Sequence, residues 1–270
     1  MESNINGFGH VISKIKTCPI KTQQELINSI ESGVCLCLDN DIVIDERIVI
    51  SMPIEIDGQG HLLDVQESGS LYFKDTQDIY IHDVKVIGQG SDWENNLDLL
   101  TFDHVSNIVI DKCYIADGAD ECVGIKNGSD YITISNCVFT YTKKPITISQ
   151  KKNHNFAILI GKNKDDKPES GIFHVTLYRD RFEGDIRRCP RIRNGLCHII
   201  ECEYDTTSVY AIGPELSELV LIDCAVKRRP HEMIHKFGDF KQIVIESGEI
   251  KYKNPKFSQF NLPDHLCKKS

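Results

Sequence analysis

Four arginines fall within seven residues, Arg187, Arg188, Arg191 and Arg193, in the stretch RRCPRIRNGLCH. A guanidinium is always charged and binds carboxylates through a planar fork of N–H donors, so such a cluster suits an anionic partner. The plainer alternative is a solvated surface face. Lys143, Lys144, Lys151 and Lys152 form a second basic set. The chain itself carries a formal charge of −9. That argues against nucleic acid as a partner, which calls for a broad basic footprint. An acidic partner must therefore be met by a local patch, and these two sets are the candidates.

Eleven cysteines are the other reactive groups. No Cys-x-x-Cys pair is present, which argues against a structural zinc site. The first 20 residues lack a basic start, an apolar core and a small-residue cleavage site, so they do not read as a secretory signal. Reduced thiols buried as small hydrophobes are the expectation, together with a cytoplasmic or particle-associated (virion) location rather than classical secretion. No apolar run is long enough to span a membrane.

The elements that must position these groups are mostly short strands. One helix is expected over residues 22–32, where Thr22 and Glu25 have capping-box spacing and Leu26, Ile27 and Ile30 share a face. After it come alternating β-branched runs such as IVISMPIEIDGQG, NIVIDKCYIADG, YITISNCVF and LVLIDCAVK. Ile108 to Ile132, Val175 to Ile199 and Val220 to Val244 are each steps of 24, and His198 to Val220 is 22. A strand recurring at that interval is the mark of a solenoid whose coils bury one another's apolar faces. The longer step from Ile132 to Val175 calls for an excursion, assigned to residues 145–170. Cys113, Cys137, Cys202 and Cys224 recur near strand ends and should stack as an interior ladder.

RCPRIRNG resembles the Arg-x-Pro-x-x-Arg-x-Gly signature of pectate lyases of the parallel β-helix type. NGFG, IEIDGQGHLL, FDHVSNIVIDKC, DECVGIKNGSDYITISNCVF and VYAIG resemble further segments of that family in the same order, over about residues 6 to 226. The resemblance implies an all-β, single-stranded right-handed parallel β-helix; the repeat predicts seven or eight coils in one domain over residues 1–270, with the helix capping its N-terminal end. It also implies a polysaccharide lyase that cleaves polygalacturonate or a similar uronate polymer by β-elimination, with calcium neutralising the uronate carboxylate.

Position by position, the resemblance implies Arg188 as the catalytic base and Lys144 and Arg193 as substrate-binding cations. It implies Asp98, Asp120 and Asn96 around the metal. Asp98 to Asp120 is 22 residues and Asp120 to Lys144 is 24, so these side chains should stack on one face, coil upon coil. Two places depart from the family: Gly124 and Asn96 stand where carboxylates are usual, with Glu94, Asp92 or Glu121 able to compensate. A third departure is the insertion PITISQKKNHNF after Lys144, which should lie beside the groove with Lys151, Lys152 and His154. The alternative is a catalytically weak or inactive β-helix serving as a glycan-binding or structural component, as of a virus particle, in assembly with other proteins.

Overall fold

A computed structural model of the chain describes residues 7–11, 16–147, 154–228, 230–237 and 242–245. Lys151, Lys152 and the eleventh cysteine, Cys267, lie outside the described residues.

The coil running through residues 121–140 shows how the chain winds. Strand Glu121–Lys126 lies on a first face, Asp130–Ser135 on a second and Val138–Thr140 on a third. Asn127 and Gly128 take positive φ between the first two strands, and Asn136 alone, at φ 54°, turns the chain between the second and third. Asp83, Lys112, Arg179, Glu201 and Asp223 hold the equivalent corner in other coils, all at φ between 50° and 57°. A left-handed residue other than glycine costs about 1–2 kcal/mol. Its recurrence at these corners shows that stacking of the coils offsets the strain.

Every strand pairing is parallel, one coil to the next. On the second face Ile132 pairs with Ile108 and with Val175, and on the third Ile115 pairs with Phe139. Among the described residues the third face holds eight strands, within the seven or eight coils expected. Alternate residues point inward, and the same residue type returns to the same rung: Phe73 stacks on Phe102, and Phe139, Phe182 and Tyr204 follow one another at 5.3 and 5.2 Å. The register corrects one expected step, because Val175 faces Cys197 and it is Leu177 that faces Ile199.

The helix is shorter than expected, Gln23–Asn28, because only Leu26 is fully buried. Its N-cap Thr22 accepts a hydrogen bond from the Glu25 N–H. It packs against strands Lys16–Ile20 and Ile42–Ile44 and so covers the N-terminal edge of the third face.

The cysteine ladder is interrupted. The Cys113 N–H points to the Cys137 Sγ at 3.4 Å, and Cys202 and Cys224 occupy later rungs. The rung between Cys137 and Cys202 belongs to Asp180, whose carboxylate accepts the Cys137 N–H at 2.9 Å. All ten described cysteines are free and all but Cys18 are buried.

The region 145–170 is not a single excursion. Strand Phe156–Ile160 lies inside it and fills the first face between Glu121–Lys126 and Arg191–Arg193. Its apolar sequence FAILI completes the core there, and the extra residues divide into one loop before it and one after it.

Candidate active site

The outer side of the first face gathers the chemistry. Asp98 closes the loop that enters strand Leu100–Asp111, and Asp120 and Glu121 stand at the start of the next strand on that face. One carboxylate oxygen from each of the three lies within 4.8 Å of the others. Asp98 is held by the Thr101 hydroxyl, which donates at 2.9 Å, and by the Glu121 N–H at 3.3 Å. Burial, and then the charge of Asp120, push the Asp98 carboxyl up to about 7. Nearby anions that disfavour one another's ionisation attract a cation to the same place.

Two further side chains close on this cluster. Arg188 forms an ion pair with Glu121, and its guanidinium lies 3.5 Å from the centre of the Phe156 ring. His154 contacts Asp120 through Nε2. Burial lowers the Arg188 pKa from its ordinary value, against the opposing pull of Tyr210 and Asp120. Arg188 also stands at φ 57°, in the left-handed region. Such a conformation costs about 1–3 kcal/mol, and the surrounding pairing fixes it here.

The other arginines are engaged elsewhere. Arg191 and Arg193 share Glu215, at 2.7 and 3.0 Å, and Arg193 also donates to the Gly161 carbonyl. Arg191 packs over Phe237, and burial followed by the charge of Arg193 lowers its pKa to about 10. The Arg187 guanidinium sits 4.9 Å from the Phe156 ring centre.

Among the residues singled out in the sequence, Asp98, Asp120 and Arg188 come together as expected. Asn96 is exposed on the loop before Asp98, and Glu121 adds a third carboxylate to the pair. Asp92 is occupied in holding its own loop, accepting from the Glu94 N–H and the Thr147 hydroxyl. Lys144 does not stack one coil above Asp120. Glu121 pairs with Phe156, so the chain reaches that rung only after the loop, and the exposed Lys144 lies on the loop with its carbonyl over Gly90. His154, which sequence alone leaves among solvated loop residues, is brought to Asp120 because it lies two residues before that strand. Trp93, the single tryptophan, is 54% exposed and meets the His154 ring edge-on at 5.0 Å.

Three carboxylate oxygens at this separation suit a hard cation. Calcium takes six to eight oxygens at 2.3–2.6 Å, which places any two of them within about 5 Å. Asp98, Asp120 and Glu121 meet that condition and would hold such an ion by one edge, leaving its other positions for water or a substrate's carboxylates.

A family model described as pectate lyase matches residues 74–239. The pectate trisaccharide-lyase of Thermotoga sp. (strain RQ2) is 25% identical over 216 residues, covering 75% of this chain and 53% of that protein. Pectate lyase 2 of Ambrosia artemisiifolia is 27% identical over 214 residues, covering 73% of this chain and 51% of the relative. The chain thus spans about half the length of the curated relatives it matches. Among solved structures, the major allergen from cedar pollen superposes with a TM-score of 0.61 at 17% identity, over 93% of this chain and 85% of its own. A Bacillus subtilis pectate lyase mutant superposes with a TM-score of 0.61 at 13% identity, over 89% and 83%. Both share the fold.

Proposed function

The chain belongs to the pectate lyase family, and from that premise we propose that it cleaves polygalacturonate or a similar uronate polymer by β-elimination. The observation that carries this reading is the ion pair of Arg188 with Glu121, whose carboxylate clusters with those of Asp98 and Asp120. In the proposed reaction Arg188 removes the proton from C5 of a uronate ring. The electron pair forms the C4–C5 double bond, the C4–O bond breaks, and the departing oxygen takes a proton from water. Burial that lowers the Arg188 pKa favours the neutral guanidine such a step requires. Calcium, when bound, would neutralise the uronate carboxylate and stabilise charge building on it. Asp98, Asp120 and Glu121 are proposed to hold it. Arg193, anchored by Glu215, and Lys144, exposed on its loop, are proposed to bind substrate carboxylates.

A second reading is binding without turnover, as a glycan-binding or particle component. It is favoured by the engagement of Arg191 and Arg193 with Glu215. Ultraviolet absorbance of the unsaturated product, followed on polygalacturonate with calcium and with a chelator, separates the two. Growth with calcium and none with chelator supports the lyase. Binding with no product under either condition supports the second reading.

A further inference from the structure

Phe156 opens strand Phe156–Ile160, where the loop re-enters the first face. It stands between two rungs of the site. On one side it pairs with Glu121, and on the other it bridges to Arg187. The next two N–H groups, of Ala157 and Ile158, donate to the Arg187 and Arg188 carbonyls at 2.9 and 2.8 Å. Ile158 and Ile160 of the same strand belong to the apolar core, but the Phe156 ring, 6% exposed, meets charged and polar neighbours instead. The Arg188 guanidinium carbon lies 3.5 Å from the ring centre and that of Arg187 4.9 Å. The His154 ring lies 4.1 Å away, tilted by 56°.

We propose that Phe156 is a positioning residue whose ring is the platform that aims the Arg188 guanidinium at the carboxylate cluster. A long side chain keeps one place only if something fixes its plane and its reach, because it gives up several freely rotating bonds to do so. Glu121 and Tyr210 bind the guanidinium, but Arg188 Nε is buried with no hydrogen-bond partner among the described residues. Hydrogen bonding leaves that edge unheld. The aromatic face supports the group instead, by stacking and by attraction of the cation to the electron-rich face of the ring. An aliphatic side chain offers neither.

The platform is itself held. The Phe156 N–H donates to the Tyr141 hydroxyl at 3.2 Å, and that oxygen lies 3.1 Å from the Phe156 carbonyl and 3.3 Å from the Asp120 carbonyl. One hydroxyl thus ties the backbone of Phe156 to the rung that carries Asp120 and Glu121. His154 packs on the ring and reaches Asp120 through Nε2, and Trp93 meets the His154 ring edge-on. Displacing a reacting group by about 1 Å costs about 10²-fold in rate, so loss of a platform under Arg188 should appear in kcat.

The effect on turnover rests on the lyase reading, whereas the geometry does not, so two readouts are used on the full chain. Proton NMR of the parent should show an Arg188 Nε–H signal shifted upfield by the ring, assigned by its loss in Arg188→Lys. Arg191, which packs over Phe237 at 3.5 Å, gives a second such signal as an internal reference. Phe156→Leu should return the Arg188 signal to the ordinary range and leave that of Arg191 in place. It should also lower kcat on polygalacturonate about 10²-fold with KM little changed. Phe156→Tyr should restore the shift and most of the rate. Ile158→Val, a core change in the same strand, should lower stability without moving the signal or kcat. If Phe156→Leu fails to fold, Phe156→Met takes its place. Three outcomes overturn the proposal: an Arg188 signal unshifted in the parent, a Phe156→Leu protein that keeps either the shift or full turnover, or a Phe156→Tyr protein as impaired as Phe156→Leu. A parent without turnover would sink the lyase reading alone, and the NMR comparison of parent, Phe156→Leu and Phe156→Tyr would then decide the platform.

Discussion

The Asp98 carboxylate fills the space that a side chain at residue 124 would need: a β-carbon built on Gly124 would lie 2.1 Å from Asp98 Oδ2 and 2.7 Å from its Cγ. The sequence alone makes Gly124 look like a lost metal ligand that Gly124→Asp would restore. The packing reverses that expectation. An aspartate there must displace Asp98, so Gly124→Asp should weaken calcium binding and lower stability by about 1–3 kcal/mol, the usual cost of overpacking. Pairing it with Asp98→Gly should recover much of both, because one carboxylate then replaces the other. Calorimetric calcium titration of the three variants checks this, and tighter calcium binding by the single variant would refute it.

Arg188→Lys should lower turnover by about 10²–10⁴-fold, the span that a positioned general base contributes, while the fold persists. Lysine keeps a charge but loses the planar group that pairs with Glu121 and covers Phe156. Product absorbance gives the rate and circular dichroism the fold. A variant retaining most of its activity would move the base elsewhere.

Calcium should stabilise the chain by linkage, with about 2.7 kcal/mol gained when free calcium is 100 times its dissociation constant. Glu121→Gln and Asp120→Asn should each reduce that gain. Thermal melts with calcium and with chelator read this directly.

Asp180 should make stability depend on pH. Burial holds its carboxyl well above the usual carboxylate range. A carboxyl whose folded pKa is raised contributes stability that is full below its unfolded pKa of about 3.9 and is lost as pH climbs through the folded value. The slope is at most about 1.4 kcal/mol per pH unit. Asp180→Asn should match the parent near pH 4 and exceed it increasingly toward neutrality, as measured by urea unfolding across that range. A constant difference between the two proteins would assign the cost to packing instead.

Trp93 should report substrate binding. It is the chain's single tryptophan, is more than half exposed, and touches the His154 ring that contacts Asp120. Oligogalacturonate should change its fluorescence, and Trp93→Ala should raise KM with little effect on kcat. An unchanged emission at saturating ligand would place the bound chain away from this side of the face.

The winding of the chain was legible because a solenoid writes its period into the sequence. Ile108, Ile132, His198, Val220 and Val244 occupy the rungs their spacing implies. The reading failed where loops interrupt the period. Lys144 is 24 residues beyond Asp120, yet it leaves the coil on a loop, and the next rung on that face belongs to Phe156. Counting residues measures contour length, and only regular coil converts contour length into position.

The sequence by itself thus determined the parallel coil, which follows from local alternation and fixed repeat length, while its resemblance to the family singled out Arg188, Asp98 and Asp120. The tertiary structure alone decided that Glu121 joins the carboxylates, that His154 returns to Asp120, that Asp98 claims the space above Gly124, and that Arg193 is tied to Glu215. Each is a matter of which side chain reaches a shared volume first. That is settled by packing between coils and loops distant in the sequence, and no local pattern of residues encodes it.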